Sequence, residues 1–251
     1  MSAPPRRSLP GQGQARPGRI VPALQVQARA SASGDPIAAR AHMLRQLAAQ
    51  GLCDADVLRA LGAVDRRHFV EAALARRAYE DTALPIGLGQ TISKPSVVAR
   101  MVTLLRGGLT DPATGKLGRV LDIGTGCGYQ AVVLSHLANE VYSMERLRGL
   151  HEKVRETLRP LHALNVHLIL GDGMEGFPSG APYAGIIAAA GGSAVPPAWL
   201  EQLAVGGRIV APVDVQGNGQ QALVVIEKTR QGLTHAVLEP VNFVPLKSGV
   251  C

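Results

Sequence analysis

The chain has 251 residues, 46% of them hydrophobic and only 3% aromatic, so one α/β domain with an appendage fits its length and its core must rely on Ala, Val, Leu and Ile. No apolar run reaches the roughly 18 residues needed to cross a bilayer; Cys53, Cys127 and Cys251, odd in number, widely spaced and without a CxxC pattern, say little about disulfides, and no Cys/His pair has the spacing of a structural metal site. The net charge is +7, but Arg6, Arg7, Arg16, Arg19 and Arg29 precede the first acid, Asp35, and the other 21 basic residues face 19 acids; the body is nearly neutral, which counts against a nucleic-acid partner.

Residues 1–36 are rich in Pro, Gly, Arg, Ser, Ala and Gln and lack apolar periodicity. They read as a disordered basic extension, with a targeting peptide as the alternative, and residues 37–251 as the folded domain. Asp35 and Pro36 start a helix whose Met43, Leu44 and Leu47 recur at helical spacing until Gly51. Asp54 starts a second, through Leu58 and Leu61, and Phe69 with residues 71–77 extends this N-terminal helical layer. Residues 84–95 carry no period and are expected to be a loop, with Ser93 a candidate cap for a helix beginning near Pro95. Strands are expected at 120–123, 141–144, 166–170, 183–189 and 208–212, with helices at 129–137 and 147–163. That alternation predicts a doubly wound, mostly parallel sheet. After Val213 the helices stop, and residues 222–228 and 234–244 alternate around Gln231-Gly232, as antiparallel strands closing one edge.

The chemistry concentrates where the 120–123 strand meets Gly124-Thr125-Gly126-Cys127-Gly128. Glycines there allow a sharp turn and let a ligand approach without meeting a Cβ, next to the free N–H groups of a helix start. The spacing G-x-G-x-G differs from the G-x-G-x-x-G of dinucleotide sites, which argues against a nicotinamide dehydrogenase. Glu145 closes the next strand, where an acid can accept from both hydroxyls of a ribose, and Asp172 follows the third, where it can accept from an adenine amino group. Taken singly, Glu145 reads equally as a solvated strand end and Asp172 as a turn residue. Together they mark the carboxyl edge of the sheet, where open α/β folds bind ligands. Ser93 lies outside any serine-nucleophile pattern.

These residues resemble the protein-L-isoaspartate (D-aspartate) O-methyltransferase family, in ordered blocks at 84–95, 120–130, 141–147, 171–173, 181–190, 206–213 and 243–246. Gly89-Gln90-Thr91-Ile92-Ser93 is the most specific. The resemblance implies a Rossmann-like methyltransferase fold, S-adenosyl-L-methionine as methyl donor without a metal, and isoaspartyl-containing proteins and peptides as acceptors in a repair reaction. It implies Ser93 as the catalytic residue and Gln90, Thr91 and Ile92 around cofactor and substrate. Asp122, Gly124, Thr125, Gly126 and Gly128 fall in the cofactor-binding set, residues 124–126 on the methionine side. Glu145 then binds ribose, Arg146 sits beside adenine, and Asp172 and Gly173 form the adenine pocket. A cytoplasmic monomer with no membrane or nucleic-acid partner is the accompanying expectation. Lys94, Ser96 and Ala188 depart from the family pattern, as does the long linker 106–118; Lys94 and Ser96 border the acceptor side. The rival readings are a methyltransferase of this fold acting on a small molecule or nucleic acid, and a binding protein that has lost turnover.

Overall fold

A computed structural model describes Met1, residues 35–107 and residues 110–251. The expected extension, apart from Met1 and its last two residues, lies outside the described residues. From Asp35 onward the helix signals act as read. Asp35 accepts from the Ile37 amide at 2.9 Å and Pro36 opens α1 (Pro36–Ala49). Asp54 accepts from the amides of Asp56 and Val57 and opens α2 (Ala55–Ala63). Each cap satisfies N–H groups that a helix start leaves unpaired. Met43 and Leu47 of α1 pack with Val57 and Leu61 of α2 in the main core. Residues 66–69 and 72–77 form tight 3₁₀ turns rather than a further α-helix.

The loop expected over 84–95 is instead an antiparallel hairpin, β1 (Leu84–Gly87) with β2 (Gln90–Ile92), pairing Leu84 with Ile92 and Pro85 with Thr91. Leu84, Ile86 and Ile92 are buried. Strands of four and three residues are too short for a period-2 pattern to register, and Pro85 inside β1 weakens the strand signal further. Helix α3 (Pro95–Arg106) follows, with Lys94 in the capping position and no side-chain cap of its own. Asp81 takes that part, accepting from the Ser96 amide at 2.8 Å. Ser93 therefore does not cap the helix.

Seven strands form the central sheet: β3 (Leu117–Ile123), β4 (Ala138–Glu145), β5 (Val166–Leu170), β6 (Tyr183–Ala188), β7 (Leu203–Asp214), β8 (Gln221–Thr229) and β9 (Gly232–Val241). Their order is β5-β4-β3-β6-β7-β8-β9. The first five run parallel and the β7–β8 and β8–β9 pairs antiparallel. Helices α4 (Tyr129–Ser135), α5 (Arg148–Leu158) and α6 (Pro197–Gln202) make the crossovers; α6 was not foreseen. Alternate residues of one strand enter different cores. Val120 joins the core under α1 to α5, whereas Leu121 and Ile123 join the core around Trp199 of α6. Because β3 pairs with both β4 and β6, the winding reverses beside it. That reversal leaves a crevice outside the carboxyl ends of these strands.

Candidate active site

At the end of β3 the chain enters the left-handed region at Gly124 (φ 89°), a conformation that favours glycine. The amides of Gly124 and Thr125 both donate to the Met144 carbonyl on β4, at 2.9 and 3.0 Å. Beneath this turn Asp122 is fully buried and accepts from Gln130 Nε2 at 2.8 Å and from Ser143 Oγ at 2.6 Å. With its proton committed to Asp122, the Ser143 hydroxyl accepts from Thr125 Oγ1, 2.7 Å away. Burial pushes the Asp122 carboxyl up to about 6, against the downward pull of Ser143 and Gln130, and nearby Glu145 adds to the rise.

Glu145, at the end of β4, is 5% exposed. Its Oε2 accepts from the Gly126 amide at 2.8 Å and its Oε1 from the Leu147 amide at 2.9 Å. Each carboxylate oxygen has room for a second donor. The acid is thus fixed by the glycine loop on one side and by its own strand end on the other, with capacity left for a ligand's hydroxyls.

One cavity of about 460 Å³ gathers the candidate residues, a volume inside the range of roughly 300–1,000 Å³ usual for small-molecule sites. Gln90, Thr91, Ile92 and Ser93 line one side; Gly124, Thr125, Gly126, Glu145, Arg146 and Gly173 line the rest. Among the described residues the Ser93 hydroxyl has no hydrogen-bond partner. A second cavity, of about 380 Å³, shares Thr91, Ser93, Ala189 and Val244 with the first, and Lys94 is the ionisable residue in its wall.

Three candidates stand outside the first cavity. Asp122 lies under the loop as described. Gly128 starts α4 at φ 90°; a Cβ there would come within 2.5 Å of Val154 and 2.6 Å of Leu158 on α5, so its place is a helix contact. Asp172 accepts from the Met174 amide at 2.8 Å and from the Gly249 amide at 2.6 Å. Arg146 donates from its side chain to the carbonyls of Gly249 and Ser248, its carbonyl accepts from the Cys251 amide, and the Arg148 amide donates to the Cys251 carbonyl. Asp172 and Arg146 together hold the 248–251 segment against the adenine-side end expected from the sequence.

Several lining residues were missed. Tyr129, Met144, Leu147 and residues 244–247 contribute to the wall. The last group reaches it because Val244 and Leu246 exchange backbone hydrogen bonds with Gly191, beyond the end of β6. The 243–246 block was visible as part of the resemblance; its pairing with Gly191 was not.

A parallel sheet reversing at β3, with a glycine loop and a strand-end acid facing one cavity, defines the Rossmann-like methyltransferase class. Comparison with known proteins narrows it. The family described as Protein-L-isoaspartate(D-aspartate) O-methyltransferase (PCMT) matches residues 38–250. Proteins named protein-L-isoaspartate O-methyltransferase from Leptothrix cholodnii and Methylibium petroleiphilum are 56% and 55% identical over 211 residues, 84% of this chain and 74% and 77% of theirs. A solved protein-L-isoaspartate O-methyltransferase superposes with a TM-score of 0.75 at 28% identity, covering 84% of this chain and 67% of that one. A Plasmodium falciparum protein described as a β-aspartate methyltransferase, in complex with S-adenosyl-L-homocysteine, gives 0.71 at 25%, covering 83% and 98%. The chain belongs to the protein-L-isoaspartate (D-aspartate) O-methyltransferase family.

Proposed function

We propose that residues 37–251 form one methyltransferase domain that transfers a methyl group from S-adenosyl-L-methionine to the free carboxylate of isoaspartyl residues in damaged proteins and peptides. The observation that carries this reading is the single cavity on which the Gln90–Ser93 turn, the 124–126 loop and Glu145 all open. The residues suit the donor. Glu145 keeps an acceptor position on each oxygen for the ribose hydroxyls, Gly124 and Gly126 offer backbone without side chains, and Met144, Leu147 and Leu246 give an apolar wall.

When bound, the donor supplies a sulfonium-activated methyl group. The acceptor carboxylate, with a reference pKa of about 3.9 or below, is ionised at neutral pH and needs no general base. What remains for the protein is alignment and exclusion of water, worth roughly 7–11 kcal/mol as effective molarity. Ser93 donates a hydrogen bond that orients the carboxylate, and Gln90, Thr91 and Ile92 hold donor and acceptor together. The acceptor chain runs through the second cavity past Lys94. Glu145 and Arg146 hold the nucleoside, with Gly173 at the adenine end. The ester so formed then loses methanol to a backbone amide and closes a succinimide, which reopens in part to normal aspartate.

Incubation with labelled S-adenosyl-L-methionine and an isoaspartyl peptide, beside its normal aspartyl twin, tests the reading. Label in the isoaspartyl peptide alone is expected; label in neither, or in both equally, overturns it. In the same assay Ser93→Ala should lower kcat by about tenfold or more, the cost of one lost charge-assisted hydrogen bond. Donor affinity should stay within about twofold. Unchanged kcat would remove Ser93 from the mechanism.

A further inference from the structure

Arg66 is 0% exposed and takes part in none of the ion pairs formed by the described residues. An arginine stays protonated in folded proteins, and a buried charge ordinarily has an opposite charge beside it. Here the Asp65 carboxylate is held by Arg67 and Tyr79, and one Asp81 oxygen takes the Ser96 amide. The neighbouring Tyr129 and Cys127 are held neutral, since burial raises the pKa of both.

Two contacts fix the Arg66 guanidinium. Nη2 donates to the Ser93 carbonyl at 2.5 Å, and the group lies 4.7 Å from the centroid of the Tyr129 ring, whose other neighbour is Phe69 at 5.4 Å. Among the described residues Nε and Nη1 have no hydrogen-bond partner, and neither has the Tyr129 hydroxyl. Ser93 and Tyr129 both line the main cavity. A positive charge therefore stands directly behind the wall on the acceptor side, touching a carbonyl and a ring face, with the Asp81 carboxylate as a more distant opposite charge. Packing alone does not explain it. An apolar side chain of similar volume would fill the same space without the several kcal/mol that desolvating an ion costs.

We propose that Arg66 is a positioning residue for the methyl acceptor: it fixes the Ser93 peptide plane, and its charge makes the cavity select an anionic carboxylate over a neutral group. The proposal rests on the carboxyl-methylation reading and deepens it. It also gives the product a reason to leave, because the ester no longer carries the charge that Arg66 attracts.

Binding of two peptides to the full chain, saturated with S-adenosyl-L-homocysteine, tests it. One carries isoaspartate; the other carries isoasparagine, in which a neutral carboxamide replaces the carboxylate. Wild type should prefer the carboxylate by about tenfold. Arg66→Met should bring the ratio near one, and Arg66→Lys should keep the ratio while lowering kcat, because an ammonium retains the charge but not the planar fork. A merely structural role would weaken both peptides alike and leave the ratio intact, which overturns the proposal. So does a wild-type ratio of one, an outcome that requires no variant to fold. Absence of methyl transfer to the isoaspartyl peptide would defeat the carboxyl-methylation reading. Normal transfer with equal binding of the two peptides would defeat the Arg66 assignment alone.

Discussion

Glu145 shows how one carboxylate serves both the fold and the proposed ligand. Its oxygens pair the Gly126 and Leu147 amides, so Glu145→Ala should do two things at once. Loss of ribose hydrogen bonds should weaken S-adenosyl-L-homocysteine binding by about 1–3 kcal/mol, read by calorimetry, and the two orphaned amides should lower the melting temperature. Unchanged affinity would contradict the ribose assignment. Asp122 makes a pH-dependent statement. Folding raises its carboxyl from 3.8 to about 6, so between those values the native chain binds more protons than the unfolded one and stability falls as pH rises. Above about pH 6 the whole penalty is present, on the order of 3 kcal/mol at 1.36 kcal/mol per unit. Asp122→Asn should flatten this slope in urea titrations between pH 4 and 7; an unaltered slope would count against it. At this scale the positions of Glu145 and Ser93 were legible from strand ends and motif order. Arg66 was not, because its meaning lies in contacts with Ser93 and Tyr129, 27 and 63 positions along the chain.

Among the elements, helices announced themselves best where a cap and a period agreed, as at Asp35 and Asp54. The β1–β2 hairpin escaped because its seven strand residues include a proline and Gly87 and its turn carries Gly89, signals that read locally as a turn. Gly128 is the instructive intermediate. The sequence grouped it with the cofactor glycines, yet its missing Cβ makes room for Val154 and Leu158 of α5. Gly128→Ala must both hold a left-handed backbone and displace those side chains, costs of about 1–2 and 1–3 kcal/mol. The melting temperature should fall by several degrees while the folded fraction keeps its affinity for S-adenosyl-L-homocysteine. A large loss of affinity at unchanged stability would return Gly128 to the binding set.

For the whole molecule, alternating strands and helices dictated the parallel half of the sheet, and the shift to alternating apolar residues after Val213 dictated the antiparallel edge. Strand order was beyond reach, since nothing local tells β3 to lie between β4 and β6. Nor could local pattern reveal that the chain, on leaving β9, would turn back beside Gly191 to complete the cavity wall. That return ties the reaction chamber to the rim of the sheet. β9 hydrogen-bonds to β8 alone and most of its residues face solvent, so it belongs to the part of a fold that opens most readily by itself. Fraying there would unseat residues 244–246 while the parallel strands stay intact. In rising urea, enzymatic inactivation should therefore run ahead of the loss of circular dichroism, with amide exchange in β9 quickening first; coincident midpoints would mean that rim and chamber melt as one.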